Sequence, residues 1–294
     1  MDKFFINFRN NLKLNLVIFS LNILLFAALY FYADRYYLSE SIIEVYEKDS
    51  SMSSGLDSIK GIASSFGVGI GGAQTNNVMK ALEIIKSRSF ANELIERNNF
   101  SLRLLAVSHY DQANALEVID SEIFKKDEGI FLGKLASFNQ EELKSLAYDE
   151  YYKVVSIAKS QTGFLKLRAL TKSPVFSHEL LIAILDHYNE IERSKDLQEA
   201  SNSINYLRER LKNELDAGVR NSFIQELMIH ERDRLKIFQR QDYILSFIDG
   251  PNIPTIKSRP VLLMYLISGL LFSMLLIVIF AIPRSDLIQI SAKE

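Results

Sequence analysis

The chain has 294 residues, 34 Lys or Arg against 36 Asp or Glu, a formal net charge of -2 and no cysteine. That balance gives no bulk electrostatic pull toward nucleic acid. The missing thiols exclude disulfides, thiolate metal sites and a cysteine nucleophile, which fits a bacterial periplasm.

The first element is a charge-free run from Leu14 to Ala33, LNLVIFSLNILLFAALYFYA, with Asn15 and Asn22 as its polar exceptions. About 20 apolar residues are what an α-helix needs to cross a hydrocarbon core of roughly 30 Å, and only a helix satisfies its own backbone there. Lys3, Arg9 and Lys13 resemble the basic end of a cleaved leader, but the run is long and no small-residue cleavage site follows Tyr36 and Tyr37. A second run, Val261 to Ile282, is cleaner still. The expected organisation is therefore a cytoplasmic stretch 1–13, a span 14–33, one large outer domain 34–260, a second span 261–282 and a short cytoplasmic tail 283–294. Basic residues before the first run, and Arg284 after the second, favour cytoplasmic termini, while Lys257 and Arg259 lie on the opposite side and pull against that orientation. The tail is too short for a catalytic or signalling module.

In the outer domain, Tyr37 to Lys48 is rich in β-branched and aromatic residues and predicts a strand leaving the membrane. A Ser/Gly-rich tract follows, with Gly55, Gly61, Gly67, Gly69, Gly71 and Gly72; GVGIGG lacks the Lys-Ser/Thr pair of a phosphate cradle, and a flexible or turn-rich segment is expected. Asn76 and Asn77 suit the N-cap of a helix whose core face is Ala81, Leu82, Ile85, Phe90, Leu94 and Ile95. The stretch from Asn99 to Phe138 is less regular, with loops expected around Lys125 to Glu128, and a short helix begins near Asn139 and Glu141.

The clearest local signal is a hairpin. Val154 to Lys159 and Phe164 to Leu170 are β-rich and joined through Ser160 to Gly163, and the pair could add to the first strand as a small membrane-proximal sheet. After Ser173-Pro174 a helical pattern runs to about Phe247, with Leu197, Ala200, Ile204, Leu207, Leu211 and Leu215 on one stripe and Val219, Phe223 and Leu227 continuing it. A mostly continuous helix is expected, with Gly218 the candidate break and a kink or a helical hairpin there the alternative. So long a stripe needs partners, and Ile204, Leu207, Leu211 and Leu215 are candidates for self-association. Pro251, Pro254 and Pro260 then predict an extended, stiff link to the second run.

Residues for catalysis are not apparent. His109, His178, His187 and His230 show no ligand spacing, and Asp149-Glu150, Asp186 and Glu190 to Glu192 sit in charged helical contexts that solvated faces explain. No Gly-x-Ser-x-Gly elbow exists. Tyr151, Tyr152 and Tyr243, with Lys153, are candidate sugar contacts on composition alone. In the second run Ser268, Gly269 and Ser273 allow close approach of another helix.

Taken in order, several segments resemble the Wzz chain-length determinants, the polysaccharide co-polymerases of Gram-negative inner membranes. They are GIASSFGVGIGG, ALEIIKSRSF, SIAKSQTGFLKLRALTKSPVFSHELL and, most specifically, IDGPNIPTIKSRP before the second run, with Ile248, Asp249, Pro251, Pro254 and Pro260 at matching places. Gly250 departs from the family pattern, which often has another Pro there. The resemblance covers nearly the whole chain, and it implies an α+β membrane protein: two transmembrane helices flanking a periplasmic domain with a small sheet and a very long helix. It further implies a non-enzymatic, cofactor-free homo-oligomer whose long helices wall a ring or bell. With a Wzy-type integral-membrane polymerase acting on lipid-linked glycan, it would set the length of O-antigen of lipopolysaccharide or a related glycan. The chain looks like the short, kinase-free type. A capsule or exopolysaccharide export co-polymerase is the alternative, followed by a periplasmic sensor or adaptor.

Overall fold

Alternation along Tyr37–Val45 (β1) sets the frame: Tyr37, Ser39, Ser41, Ile43 and Val45 are buried, and the residues between them are half-exposed. The structure, a computed structural model, describes residues 12–46, 72–160, 163–239 and 242–281. Two units are distinguished, one of Tyr37–Thr255 and a smaller one of Met1–Tyr36 with Ile256–Glu294.

In the larger unit, β1 lies inside a four-stranded antiparallel sheet. Val155–Lys159 (β6), Leu165–Thr171 (β7), β1 and Leu245–Asp249 (β8) stand in that order. β7 alternates like β1, burying Leu165, Leu167, Ala169 and Thr171, and its register sets Ser39 opposite Ala169 and Ser41 opposite Leu167. One face is thereby apolar and roofed by helices; the other carries Glu40, which accepts from Lys166 and Arg168 at 2.8 Å each. The expected β6–β7 hairpin and its pairing with the first strand are both present. Gly163 sits at φ +92° and donates to the Ser160 carbonyl at 3.0 Å, a conformation that favours glycine.

The roof begins with Gly72–Lys86 (α2) and Arg88–Arg97 (α3), separated at Ser87, whose hydroxyl caps α3 by accepting from Phe90 N. The expected face is buried at Ala81, Ile85, Phe90, Leu94 and Ile95, with Leu82 half-buried. Each fully buried Leu or Ile contributes about 1.5–3 kcal/mol. The expected cap at Asn76 and Asn77 is corrected: both lie inside α2, because the helix already runs through Ala73 and Gln74, which are sound helix formers. The glycine tract from Gly55 to Gly71 lies outside the described residues.

Ser101–Leu105 (α4) leads to two small hairpins, Val107–Asp111 (β2) with Leu116–Ile119 (β3), and Phe124–Lys125 (β4) with Ile130–Phe131 (β5). The loop expected at Lys125 to Glu128 is the β4–β5 turn, closed at Gly129 with φ +67°. Gln140–Val154 (α5) starts where expected, with a reciprocal capping box between Asn139 and Glu142 at 2.9 and 2.8 Å. Arg103 pairs with Glu117 of β3 and stacks 4.4 Å over Phe176, fastening the first hairpin to the main core.

Pro174–Asn213 (α6) is 40 residues long, capped by Ser173, with Pro in its first turn. The continuous helix to about Phe247 is corrected in two ways. First, the chain reverses at Glu214 to Asp216, and Ala217–Gln239 (α7) packs back along α6. Asp216 accepts from Gly218 N and Val219 N at 2.8 and 2.9 Å, so the break is an N-cap two residues before Gly218. Second, Leu245–Asp249 is strand β8 and not helix end. The strand expected as far as Lys48 is β1, ending at Val45; residues 47 and 48 lie outside the described residues.

The smaller unit contains Leu12–Tyr32 (α1) packed on Leu262–Ala281 (α8), both predominantly apolar. Among the described residues one helix is long and apolar enough to cross a bilayer, over Asn15–Tyr32; the apolar run in α8, Leu262–Val278, is shorter.

Candidate functional site

In the smaller unit, of the three residues expected to permit close helix approach, Gly269 lies against α1 of the same chain, Ser273 is buried and Ser268 is exposed. A Cβ on Gly269 would stand 3.1 Å from Cβ of Phe26 on α1, so α1 occupies the glycine's surface. Ser273 is fully buried and donates to the Gly269 carbonyl at 2.7 Å, while Ser268 is exposed and donates to the Met264 carbonyl at 2.8 Å. Phe26 with Phe272 and Tyr30 with Tyr265 complete the seam at 6.1 and 5.9 Å between ring centroids. Asn15 and Asn22 are buried, and Asn22 returns its amide hydrogen to the Ile18 carbonyl at 2.9 Å. Leu16, Leu21, Leu24, Leu263, Met264 and Leu271 stay exposed on this unit.

The family-signature segment begins inside the sheet. Ile248 and Asp249 end β8, and Asn252 accepts from the Ser39 hydroxyl at 2.8 Å, holding the extended stretch of Pro251 and Pro254 beside β1. A Cβ at Gly250 would meet no atom within 4 Å, so crowding does not account for the glycine there. Pro260 follows a cis peptide bond from Arg259 in the smaller unit.

On the helical hairpin, the stripe expected for self-association is divided. Ile204 and Leu207 are buried, Leu211 is half-buried, and Leu215, ejected at the reversal, is 98% exposed. Arg208 crosses from α6 to Glu231 of α7 at 2.8 Å, and Arg234 joins the same carboxylate at 2.8 Å. A second apolar line on α7 was not recognised in the sequence: Ile224, Met228, Leu235 and Phe238 are all exposed, at spacings of four, seven and three that keep them on one helix flank. The signal was present in the spacing, but it was merged with the Phe223 and Leu227 line, which is half-buried.

The candidate sugar contacts separate as well. Tyr151 is buried and donates to the Ile85 carbonyl at 3.1 Å, burial holding its phenol well above the usual range. Tyr243 is buried and donates to Asp196. Tyr152 alone is exposed, at the mouth of a cavity of about 210 Å³ that Ile85, Lys86, Tyr151, Val155, Ser156 and Ile157 also line.

The titratable groups serve packing. Glu192 is buried and takes the Lys80 ammonium at 2.8 Å, and Glu190 pairs with Arg97 at 2.6 Å. Asp186 is held above the ordinary carboxylate range, chiefly by burial and then by Asp242 and Glu190. His187 is 3% exposed, its ring tilted by 50° against Phe90 at 4.8 Å between centroids, with neither ring nitrogen hydrogen-bonded among the described residues. His230 lies 3.5 Å from Glu226, and His109 3.5 Å from Ser108. No group of three His, Cys, Asp or Glu arranged for a metal occurs among the described residues.

No protein-family model and no curated protein sequence matches the chain. Among solved structures it is similar to a full-length bacterial polysaccharide co-polymerase, at 12% identity over 97% of each chain with a TM-score of 0.38. It is also similar to a fragment of WzzB, a polysaccharide co-polymerase from Salmonella Typhimurium, at 12% identity over 76% of this chain and 100% of that one, with a TM-score of 0.28.

Proposed function

We propose that this chain is a non-enzymatic regulator of polysaccharide chain length in a bacterial inner membrane. In this reading α1 and α8 are two spans, both termini are cytoplasmic, and Tyr37–Thr255 is a periplasmic scaffold. It acts as a homo-oligomer beside a polymerase that extends lipid-linked repeat units of O-antigen or a related glycan.

The observation that carries the reading is the pairing of β1 with β8. β1 follows α1 in the chain, and β8 leads through the proline-marked segment toward α8, so the two ends of the larger unit are joined as neighbouring strands of one sheet. A unit tied in this way has its two attachments on neighbouring strands, which suits a scaffold. The four segments that carry the family resemblance follow one another along the chain.

Self-association is assigned to the flank of α7 that carries Ile224, Met228, Leu235 and Phe238. Exposed apolar lines of this kind mark interaction surfaces. Ile204 and Leu207 already serve the hairpin and are unavailable to a neighbour.

The deciding experiment is deletion of the gene followed by gel separation of the surface glycan. Loss of a modal length with chains still made supports the proposal; an unchanged length distribution refutes it.

A further inference from the structure

Lys257 and Arg259 are basic residues on the side of the second apolar run where the positive-inside tendency disfavours them. In the smaller unit they are joined by a third. Tyr36 N donates to the Arg259 carbonyl at 3.0 Å and Ser258 N to the Tyr36 carbonyl at 2.8 Å, an antiparallel bridge that brings Arg35 within one residue of the paired positions. Lys257 is half-buried with its ammonium 4.4 Å over the Tyr30 ring, while Arg35 and Arg259 are exposed.

None of the three forms an ion pair among the described residues. Asp34, the carboxylate in this stretch, has an interaction of its own. In the larger unit, by contrast, Lys80, Arg97, Arg103, Lys144, Lys166 and Arg168 all meet carboxylates. The three cations stand where the apolar helices end, in a stretch that also carries Tyr30, Phe31, Tyr32, Tyr36 and Tyr265. Phe31 and Tyr32 are 78% and 89% exposed. Aromatic rings of this kind settle at the headgroup level of a bilayer.

We infer that Arg35, Lys257 and Arg259 bind the phosphate headgroup of an anionic phospholipid in the leaflet on the side of the larger unit. The inference rests on α1 and α8 crossing the membrane. Guanidinium forks match phosphate oxygens in pairs, and an ammonium over an aromatic face keeps its outward hydrogens for a further oxygen. A lipid is favoured over a free anion because the exposed apolar sides of α1 and α8, at Leu25, Leu29, Leu263 and Leu266, continue directly from these cations and offer the acyl chains a surface. Lys257 and Arg259 thus have a use that outweighs their cost in topology.

The test uses the full chain in nanodiscs of equal phosphatidylglycerol and phosphatidylcholine, followed by release into mild detergent and native mass spectrometry of retained lipid. The wild type keeps phosphatidylglycerol preferentially. Each neutralisation in R35Q, K257Q and R259Q weakens that preference by about fivefold, the fold-change of about 1 kcal/mol per basic residue near an anionic surface. The triple variant loses it. Equal retention of the two lipids by the wild type, or an undiminished preference in the triple neutral variant, overturns the inference. So does selective retention of a polyprenyl diphosphate, offered in parallel discs, with none for phosphatidylglycerol. A chain that never enters the discs overturns the spanning reading itself, an outcome distinct from entry without selectivity.

Discussion

Asn189 of α6 grips Leu245 of β8 by both of its main-chain groups: the amide oxygen accepts from Leu245 N at 2.8 Å, and the amide nitrogen donates to the Leu245 carbonyl at 2.7 Å. The same oxygen accepts from Ile244 N at 3.0 Å. β8 is an edge strand, with β1 on one side only, so a single buried side chain supplies the partners that a further strand would have given. Asn189→Leu keeps the volume and orphans two N–H groups and a carbonyl. It should cost about 3 kcal/mol. Chemical unfolding followed by circular dichroism measures it, and a loss below about 0.5 kcal/mol would contradict the assigned role.

His187 gives the larger unit a pH dependence. Burial pushes its imidazole below the ordinary histidine range; Glu93 and Glu190 pull it up and Arg97 pushes it down, without reversing the direction. The folded state therefore favours the neutral ring. Stability is full above the unfolded value of about 6.5 and falls as pH drops below it toward the folded value, with a slope of at most about 1.4 kcal/mol per pH unit. His187→Phe keeps a ring against Phe90 and removes the titration. Its unfolding midpoint should lose the part of the acid slope between pH 6.5 and 5 that the wild type shows. Parallel slopes for the two proteins would show that His187 is not its source.

What could be read in advance was what local chemistry decides. Gly163 between two β-rich runs, Asn139 and Glu141 at a helix start, and Ser173 before Pro174 each predict one structure whatever packs around them. The reversal at Leu215 was harder. LKNELDAGV is charged and helix-forming on both sides, and the Asp216 cap competes with continuation by only about 1 kcal/mol, so the choice falls to tertiary packing of Ile204 and Leu207 on α7. β8 was hidden for a related reason. ILSFID carries too few residues to separate strand from helix end, and its decisive partner, Asn189, lies 56 residues earlier. Among the candidate site residues, Gly269 was legible as a place of close approach, but its neighbour Phe26 was not.

That neighbour is open to a direct check. The chain has no cysteine, so a pair introduced at Phe26 and Gly269 is free of competing thiols. The Cβ separation of 3.1 Å is just under the roughly 3.5–4.5 Å of a disulfide, a gap that small helix adjustments close. F26C/G269C should form an intramolecular bridge under mild oxidation, read as a faster monomer band on a non-reducing gel. Each single variant should not. A ladder of oligomers in place of that band would instead assign Gly269 to a contact between protomers.

The two apolar lines of the helical hairpin predict opposite outcomes for the same substitution. Ile204 is 1% exposed against α7, so Ile204→Glu buries an unpaired carboxylate and should lower stability by about 3 kcal/mol or more, with loss of helical signal at moderate denaturant. Met228 and Leu235 are 61% and 57% exposed, so M228E/L235E should shift stability by less than about 0.5 kcal/mol per site. If the α7 flank is where copies meet, that double variant should nonetheless reduce the oligomer to smaller species by light scattering in detergent. It should also broaden the glycan length distribution in cells. A fully assembled M228E/L235E protein would remove the α7 flank from the interface while leaving the hairpin packing, which Ile204→Glu tests separately, untouched.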